Sequence, residues 1–152
     1  MACVVASASA GAGCGELQPE TGERRMACVD ADSNPGTPVV FATDIRPLLD
    51  GEVDGTKGCK GCHYGTATGT REGLLQSGLD LEKLRTIRLG GRNTPPDRLV
   101  VPGKPCSSAM VQKLQGTFGG ARMPKEGPYW EPAKIQLVID WIAEGAQGGD
   151  DE

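Results

Sequence analysis

The chain has 152 residues, enough for one domain and a tail, and its formal net charge of −4 argues against nucleic-acid binding, which requires a basic face. Aromatic residues make up only 4% of the chain, whereas 23 residues are glycine and 11 are proline, so a core formed by the protein alone would be thin. The composition therefore limits the stability that the apolar core of the chain can provide by itself.

The first fifteen residues are small and weakly apolar, like the end of a secretory signal, although no basic residue precedes them. This stretch is too short to cross a bilayer. Gly11-Ala12-Gly13-Cys14 resembles the end of a lipoprotein signal, in which the cysteine is lipidated. We interpret residues 1–15 as the remnant of a leader with Cys14 as a candidate lipidation site, the alternative being an unlipidated linker. We expect the true translation start to lie upstream.

Residues 16–38 are polar and rich in turn-forming residues, with no apolar period. They predict a flexible tether, followed by one domain over residues 39–147 and an acidic tail over residues 148–152. Within the domain, a short helix is predicted over about 44–50, with Asp44 able to cap it and Pro47 tolerated in its first turn.

The segment Cys59-Lys60-Gly61-Cys62-His63 carries the most specific signal of the chain. Its Cys-x-x-Cys-His spacing is typical of a site where haem is attached covalently. In such a site both thiols form thioether bonds to the haem vinyl groups, and the histidine binds the iron. A one-turn helix allows this arrangement, because it brings both thiols to one edge of the porphyrin and turns the imidazole onto the metal.

Other metal or redox sites compete with this interpretation. Because His63 is the only histidine, a zinc site with two cysteines and two histidines is excluded. A zinc site that includes His63 is disfavoured, since Cys62 and His63 are adjacent. A dithiol redox pair is expected in a βαβ context, which the glycine-rich surroundings do not provide. A zinc site of four cysteines stays open, with Cys28, Cys59, Cys62 and Cys106 as ligands.

Loops and short helices alternate after the motif. A loop is predicted over 65–73, then a short helix ended by Gly90-Gly91, with an apolar set of Leu79, Leu81, Leu84 and Ile87. Residues 93–105 predict a proline-rich strap, and a helix follows over about 106–115, stopped by Gly116. We call residues 116–131 the methionine strap, because they are irregular and contain Met123.

The last predicted helix has the clearest pattern. Pro132 fits its first turn and Gly145 its end. Trp141 lies on or near the apolar face. This position is compatible with packing against the first helix and equally with contact to a haem. The apolar face consists of Ile135, Val138, Ile139 and Ile142.

An iron that carries electrons needs a sixth ligand, and the absence of a second histidine favours methionine. Met1 and Met26 lie in the unpatterned N-terminal region. Met110 shares a helical face with apolar residues and is interpreted as a core residue. Met123 lies in the irregular strap, and Pro124 restricts its backbone to an extended conformation. Met123 is therefore the predicted sixth ligand.

Five further segments flank or follow the motif in a fixed order. Together with the motif, they make residues 40–147 resemble a small bacterial monohaem cytochrome c domain of the planctomycete and myxobacterial type. Cys106 and Lys104 depart from the usual residues at their positions. The matching segments are Asp44-Ile45-Arg46-Pro47-Leu48-Leu49, Ser77-Gly78-Leu79-Asp80-Leu81, Val101-Pro102-Gly103-Lys104-Pro105-Cys106-Ser107-Ser108, Arg122-Met123-Pro124 and Ile139-Asp140-Trp141-Ile142-Ala143-Glu144-Gly145-Ala146.

The resemblance implies an all-α fold of about three to five short helices and long loops wrapped around one haem c, with His63 and Met123 as axial ligands. It implies an exported one-electron carrier, periplasmic or on the outer surface, with a lipid at Cys14 as a candidate membrane tether. The net charge is compatible with a redox partner that has a basic docking patch, and equally with a role in solubility alone. No nucleophile–base pair is present, so no enzymatic activity is expected. A haem-based sensor with a labile distal ligand and a structural zinc module are the alternatives.

Two cysteines remain once Cys59 and Cys62 are assigned to haem and the two N-terminal cysteines to the leader. In an oxidising compartment, these two, Cys28 and Cys106, could form a disulfide that joins the tether to the start of a helix. The alternative is two unrelated thiols.

Overall fold

The protein is described by a computed structural model over residues 26–152, so the predicted leader, including Cys14, lies outside the described residues. The regular elements of this range are helices and helical turns. Apart from them, one isolated antiparallel bridge joins Gly91 to Thr94. The predicted helical domain of short helices is thereby confirmed. The elements are a π-helical turn Phe41–Ile45, α1 Arg46–Asp50, α2 Lys60–His63, α3 Glu72–Ser77, α4 Leu84–Leu89, α5 Pro96–Leu99, a 3-10 turn Pro105–Ser107, α6 Ala109–Gln115 and α7 Pro132–Ala143.

The first helix begins three residues earlier than predicted. The π-helical turn starts at Phe41 and runs directly into α1. Asp44 therefore lies inside this turn, and its carboxylate accepts a hydrogen bond from the backbone N–H of Val40 at 2.7 Å. Pro47 lies in the first turn of α1 as predicted, and Gly51, with φ of 78°, ends that helix.

The core forms where the first and last helices meet. α7 begins at Pro132 as predicted, and its four predicted apolar positions are buried. Trp141 is fully buried, with its ring centroid 5.2 Å from that of Phe41, and its Nε1–H donates to the carbonyl of Gln147 at 2.8 Å. Trp141 therefore packs against the first helix.

None of the helices within residues 26–152 combines the length and the hydropathy that a membrane-spanning segment needs.

The middle of the chain contains two helices that the sequence pattern did not predict. α3 begins at the end of the predicted loop 65–73, and α5 lies inside the predicted proline-rich strap. Both span fewer than two turns, which is too short for an apolar period to appear. The helix predicted around Leu79 begins only at Leu84, because the backbone before it is extended at Lys83. Gly116 ends α6 as predicted, with φ of 74°.

The segment that precedes the domain contacts it. In the described part of the predicted tether, residues 26–38, a disulfide joins Cys28 to Cys106, and Asp30 accepts a hydrogen bond from the backbone N–H of Cys106 at 2.8 Å. The Ser33 hydroxyl donates to Asp140 at 2.7 Å. This part of the predicted tether is therefore bound to the domain, whereas residues 16–25 lie outside the described range.

The acidic tail, residues 148–152, covers the start of α4. The backbone N–H of Leu84 donates to the carbonyl of Glu152 at 2.7 Å, and that of Arg85 donates to the carbonyl of Asp150 at 3.1 Å. These carbonyls accept from N–H groups that have no partner within the helix. The tail thus completes the fold rather than extending away from it.

The disulfide yields a stability prediction. Replacing Cys28 and Cys106 together by serine should lower the free energy of unfolding by roughly 2–4 kcal/mol, because the bridge constrains the unfolded chain over a long loop. The two cysteines are 78 residues apart in sequence. Urea denaturation of the two proteins measures this difference. Ser33→Ala, which removes one anchoring hydrogen bond, should cost only about 1 kcal/mol. An unchanged midpoint in the double variant would contradict the prediction.

Candidate functional site

The Cys-x-x-Cys-His motif forms the one-turn helix that its chemistry requires. The backbone N–H groups of Cys62 and His63 both donate to the carbonyl of Cys59, at 3.2 and 2.9 Å. Cys59 immediately precedes α2 and is half-buried, whereas Cys62 lies on α2 and is exposed. Neither thiol is in a disulfide. The structure therefore presents two unpaired thiols and one imidazole on a single helical turn.

The first helix holds this turn in place. The backbone N–H of Cys59 donates to the carbonyl of Leu49 at 2.6 Å. Gly51 and Gly58 approach so closely that a Cβ on Gly58 would lie 2.4 Å from the backbone nitrogen of Gly51. Only glycine permits this approach, so the loop between them closes tightly. α1, which packs in the core, thereby fixes the start of α2.

Three hydrogen-bonded side chains add to the connection between α1 and α2. Tyr64, which follows α2, is buried, and its hydroxyl donates to Asp50 at 2.7 Å. Arg46 donates from Nη1 to the same hydroxyl at 3.1 Å. Burial, together with the hydrogen bond to Asp50, raises the pKa of Tyr64 above its usual value, so it stays a neutral donor. Sequence reasoning had not assigned Tyr64 a role.

One backbone carbonyl sets the chemical form of His63. Nδ1 of His63 lies 3.1 Å from the carbonyl oxygen of Leu79. A carbonyl only accepts hydrogen bonds, so we assign the ring proton to Nδ1, which leaves the lone pair on Nε2. Burial lowers the pKa of His63 and favours the neutral ring. A neutral imidazole anchored through Nδ1 is the usual form of a histidine that binds a metal through Nε2.

The environment of Cys59 disfavours a reactive dithiol. Burial raises the pKa of the Cys59 thiol to about 12, with smaller contributions from the charges of Cys62 and Asp50. Redox-active cysteines act as thiolates and usually have lowered pKa values. The position of Cys59 is therefore better suited to a protonated thiol.

The four-cysteine zinc alternative conflicts with the structure. Cys28 and Cys106 are bonded to each other, so neither provides a thiolate ligand. Within residues 26–152, no three or more His, Cys, Asp or Glu side chains cluster closely enough to hold a metal ion. Among these described residues, Cys59, Cys62 and His63 therefore lack the further ligands that a tetrahedral zinc site needs.

The methionine strap lies beside the motif. The backbone N–H of Met123 donates to the carbonyl of Lys113 in α6 at 3.0 Å, which anchors one side of the strap. On the other side, the Lys57 ammonium donates to the carbonyl of Lys125 at 2.7 Å, and Trp130 donates from Nε1 to the carbonyl of Lys57 at 2.9 Å. The strap therefore runs from α6 to the residues that immediately precede Cys59.

The two central methionines differ in their surroundings. Met110 is buried in α6 with Val111 and Leu114, as expected of a core residue. Met123 is half-buried on the irregular strap. Arg122 stacks over the ring of Tyr129, with its guanidinium carbon 4.1 Å from the ring centroid, and so closes the segment that carries Met123. Of these two methionines, Met123 is the one on the segment that contacts the motif region.

The donors present fit a covalently attached haem. Two thiols on one turn, one imidazole with a free Nε2 lone pair and one thioether on an adjoining segment are the groups that a His/Met haem c requires. Comparison with protein-family models, with curated proteins and with solved structures found no match. The resemblance to a cytochrome c domain thus remains a prediction from residues and motifs.

Proposed function

We propose that the protein is a one-electron carrier with a single haem c, attached through Cys59 and Cys62 and ligated by His63. The observation that carries this proposal is the motif turn with unpaired thiols, on which the Nδ1 of His63 is tied to the Leu79 carbonyl. When bound, the haem supplies an iron that accepts and releases one electron. The side chains of the protein would attach this haem, bind its iron and shield it from water.

The thiols and the imidazole have separate tasks. Cys59 and Cys62 would hold the haem: each thiol would add across one vinyl double bond, its sulfur joining one carbon and its proton the other, so no oxidant would be consumed. His63 would bind the iron through Nε2, while its Nδ1–H donates to the Leu79 carbonyl and stabilises the ring orientation. Electron transfer then requires no change in the protonation of these groups.

Met123 is the proposed sixth ligand. The strap that carries it lies between α6 and the segment before the motif, which supports this role. A thioether ligand stabilises ferrous iron and raises the reduction potential relative to a second imidazole. Burial of the iron between the strap and α2 would raise the potential further by excluding water.

The proposed class is a small cytochrome c domain of the monohaem bacterial type. The all-helical core, in which the first helix packs against the last, supports it. The disulfide between Cys28 and Cys106 fits an oxidising compartment, so we propose that the protein is exported to the periplasm or the outer surface. A lipid on Cys14 would tether it there, and a partner with a basic patch would dock on it.

Expression with a haem-maturation system tests the proposed function. The purified protein should show the absorption bands of a low-spin haem, and the haem should remain on the polypeptide after acid-acetone extraction. Metal analysis should give one iron per chain. Haem that is fully extracted by acid acetone, or bound zinc without haem, would overturn the proposal.

A further inference from the structure

The helix after the motif covers one face of the His63 ring. Gly73 lies in the first turn of α3, and a Cβ built on it would lie 2.4 Å from Nε2, 2.5 Å from Cε1 and 2.8 Å from Cδ2 of His63. A carbon placed along the Nε2 lone pair would be much farther from both ring carbons than from the nitrogen. The similar distances therefore place the Gly73 backbone over the face of the ring and not along the Nε2 lone pair.

The position of α3 is set by backbone contacts with α2. The N–H of Arg71, immediately before α3, donates to the carbonyl of Gly61 at 3.1 Å. A Cβ on Gly69 would lie 2.4 Å from the same carbonyl oxygen, so the loop returns directly onto α2. Arg71 adopts a left-handed conformation with φ of 50°, which turns the chain into α3. Gly73 is thus held by the helix that carries His63.

The ring of His63 is consequently restrained in two ways. The Leu79 carbonyl fixes the direction of Nδ1, and the Gly73 backbone blocks rotation of the ring toward α3. The torsion that rotates an imidazole has a broad, roughly two-fold preference, so the hydrogen bond alone leaves freedom that the face contact removes. Glu72, beside Gly73, also pairs with Lys125 of the methionine strap at 3.3 Å. α3 therefore contacts both the imidazole and the strap.

We propose that Gly73 is a positioning residue that fixes the rotation of the His63 imidazole about the iron–nitrogen bond. This inference rests on the proposed haem site and extends it. The orientation of an axial imidazole affects the energies of the iron d orbitals, so a change in that orientation changes the g-values of the ferric protein. Any side chain at position 73 would meet the ring face, and only glycine leaves the space that the observed orientation needs.

The test is Gly73→Ala in the haem-loaded protein, with Gly36→Ala as control. Gly36 has nothing within 4 Å of its built Cβ, so the same chemical change meets no neighbour there. Alanine favours a helix more than glycine does, so the variant should not weaken α3 through its helix propensity. We expect Gly73→Ala to keep covalent haem and to shift the ferric g-values, and Gly36→Ala to leave them unchanged. Unchanged g-values in haem-loaded Gly73→Ala would overturn the proposal.

A measurement on the unaltered protein decides the case in which Gly73→Ala fails to mature. In the diamagnetic ferrous state, we expect nuclear Overhauser contacts between the ring protons of His63 and the α-protons of Gly73. Absence of these contacts would overturn the proposal whatever the variant does. If the unaltered protein carries no covalent haem, it is the proposed function that fails, so the two failures are distinguishable.

Discussion

Replacing Cys59 and Cys62 together by alanine should remove all covalently bound haem from the protein. These are the two unpaired cysteines of residues 26–152, so no other thiol there can form a thioether bond. His63 would remain as an iron ligand, and any haem that still binds should be released by acid acetone. Haem staining of a denaturing gel, which detects only attached haem, measures the loss.

The same double variant should also lose stability. The apolar core is small, and an attached haem would add apolar surface that the loops can cover. For the haem stain, replacing Cys28 and Cys106 by alanine provides the matched control, since it also removes two cysteines but should leave the stain intact. A stained band in the Cys59/Cys62 double variant would contradict the assignment of these thiols.

Replacing Met123 by alanine should abolish the weak far-red absorption band that marks a sulfur–iron bond in ferric His/Met haem. The reduction potential should fall, because the proposed sixth ligand, a thioether that would stabilise ferrous iron, is lost. Optical titration of the variant against the unaltered protein measures both effects. Covalent haem should be retained, since neither thioether bond involves Met123.

Met110→Ala is the matched control for this experiment. Met110 is only 7% exposed in α6, so its truncation should lower the free energy of unfolding by roughly 2–5 kcal/mol and leave the band in place. The two variants should therefore differ: Met123→Ala should lose the far-red band, and Met110→Ala should keep it. If Met110→Ala removes the band and Met123→Ala retains it, the assignment of the sixth ligand is wrong.

The sequence predicted those elements whose side chains follow a clear period or motif. α7 could be predicted because its apolar residues repeat over three turns and Pro132 marks its start. The motif turn could be predicted because its spacing leaves few other uses. α3 and α5 span fewer than two turns, so their apolar residues show no period, and their formation depends on tertiary contacts.

The parts of the site formed by backbone atoms could not be predicted. The Leu79 carbonyl orients His63, but any residue at position 79 would offer the same oxygen. Gly73 appears in the sequence as one of 23 glycines, and its contact with the imidazole depends on how the loop over 65–71 folds back. The contacts of Asp30 and Ser33 likewise join residues far apart in the chain, so the tether pattern did not reveal them.

Mass spectrometry of a tryptic digest under reducing conditions tests covalent haem attachment most directly. Cleavage after Lys57, Lys60 and Arg71 places Cys59 on the peptide 58–60 and Cys62 on the peptide 61–71. If both thiols carry thioether bonds, the two peptides will remain joined through one haem after every disulfide is reduced. Two separate peptides with free, alkylatable thiols, from protein matured outside the cytoplasm, would contradict the account.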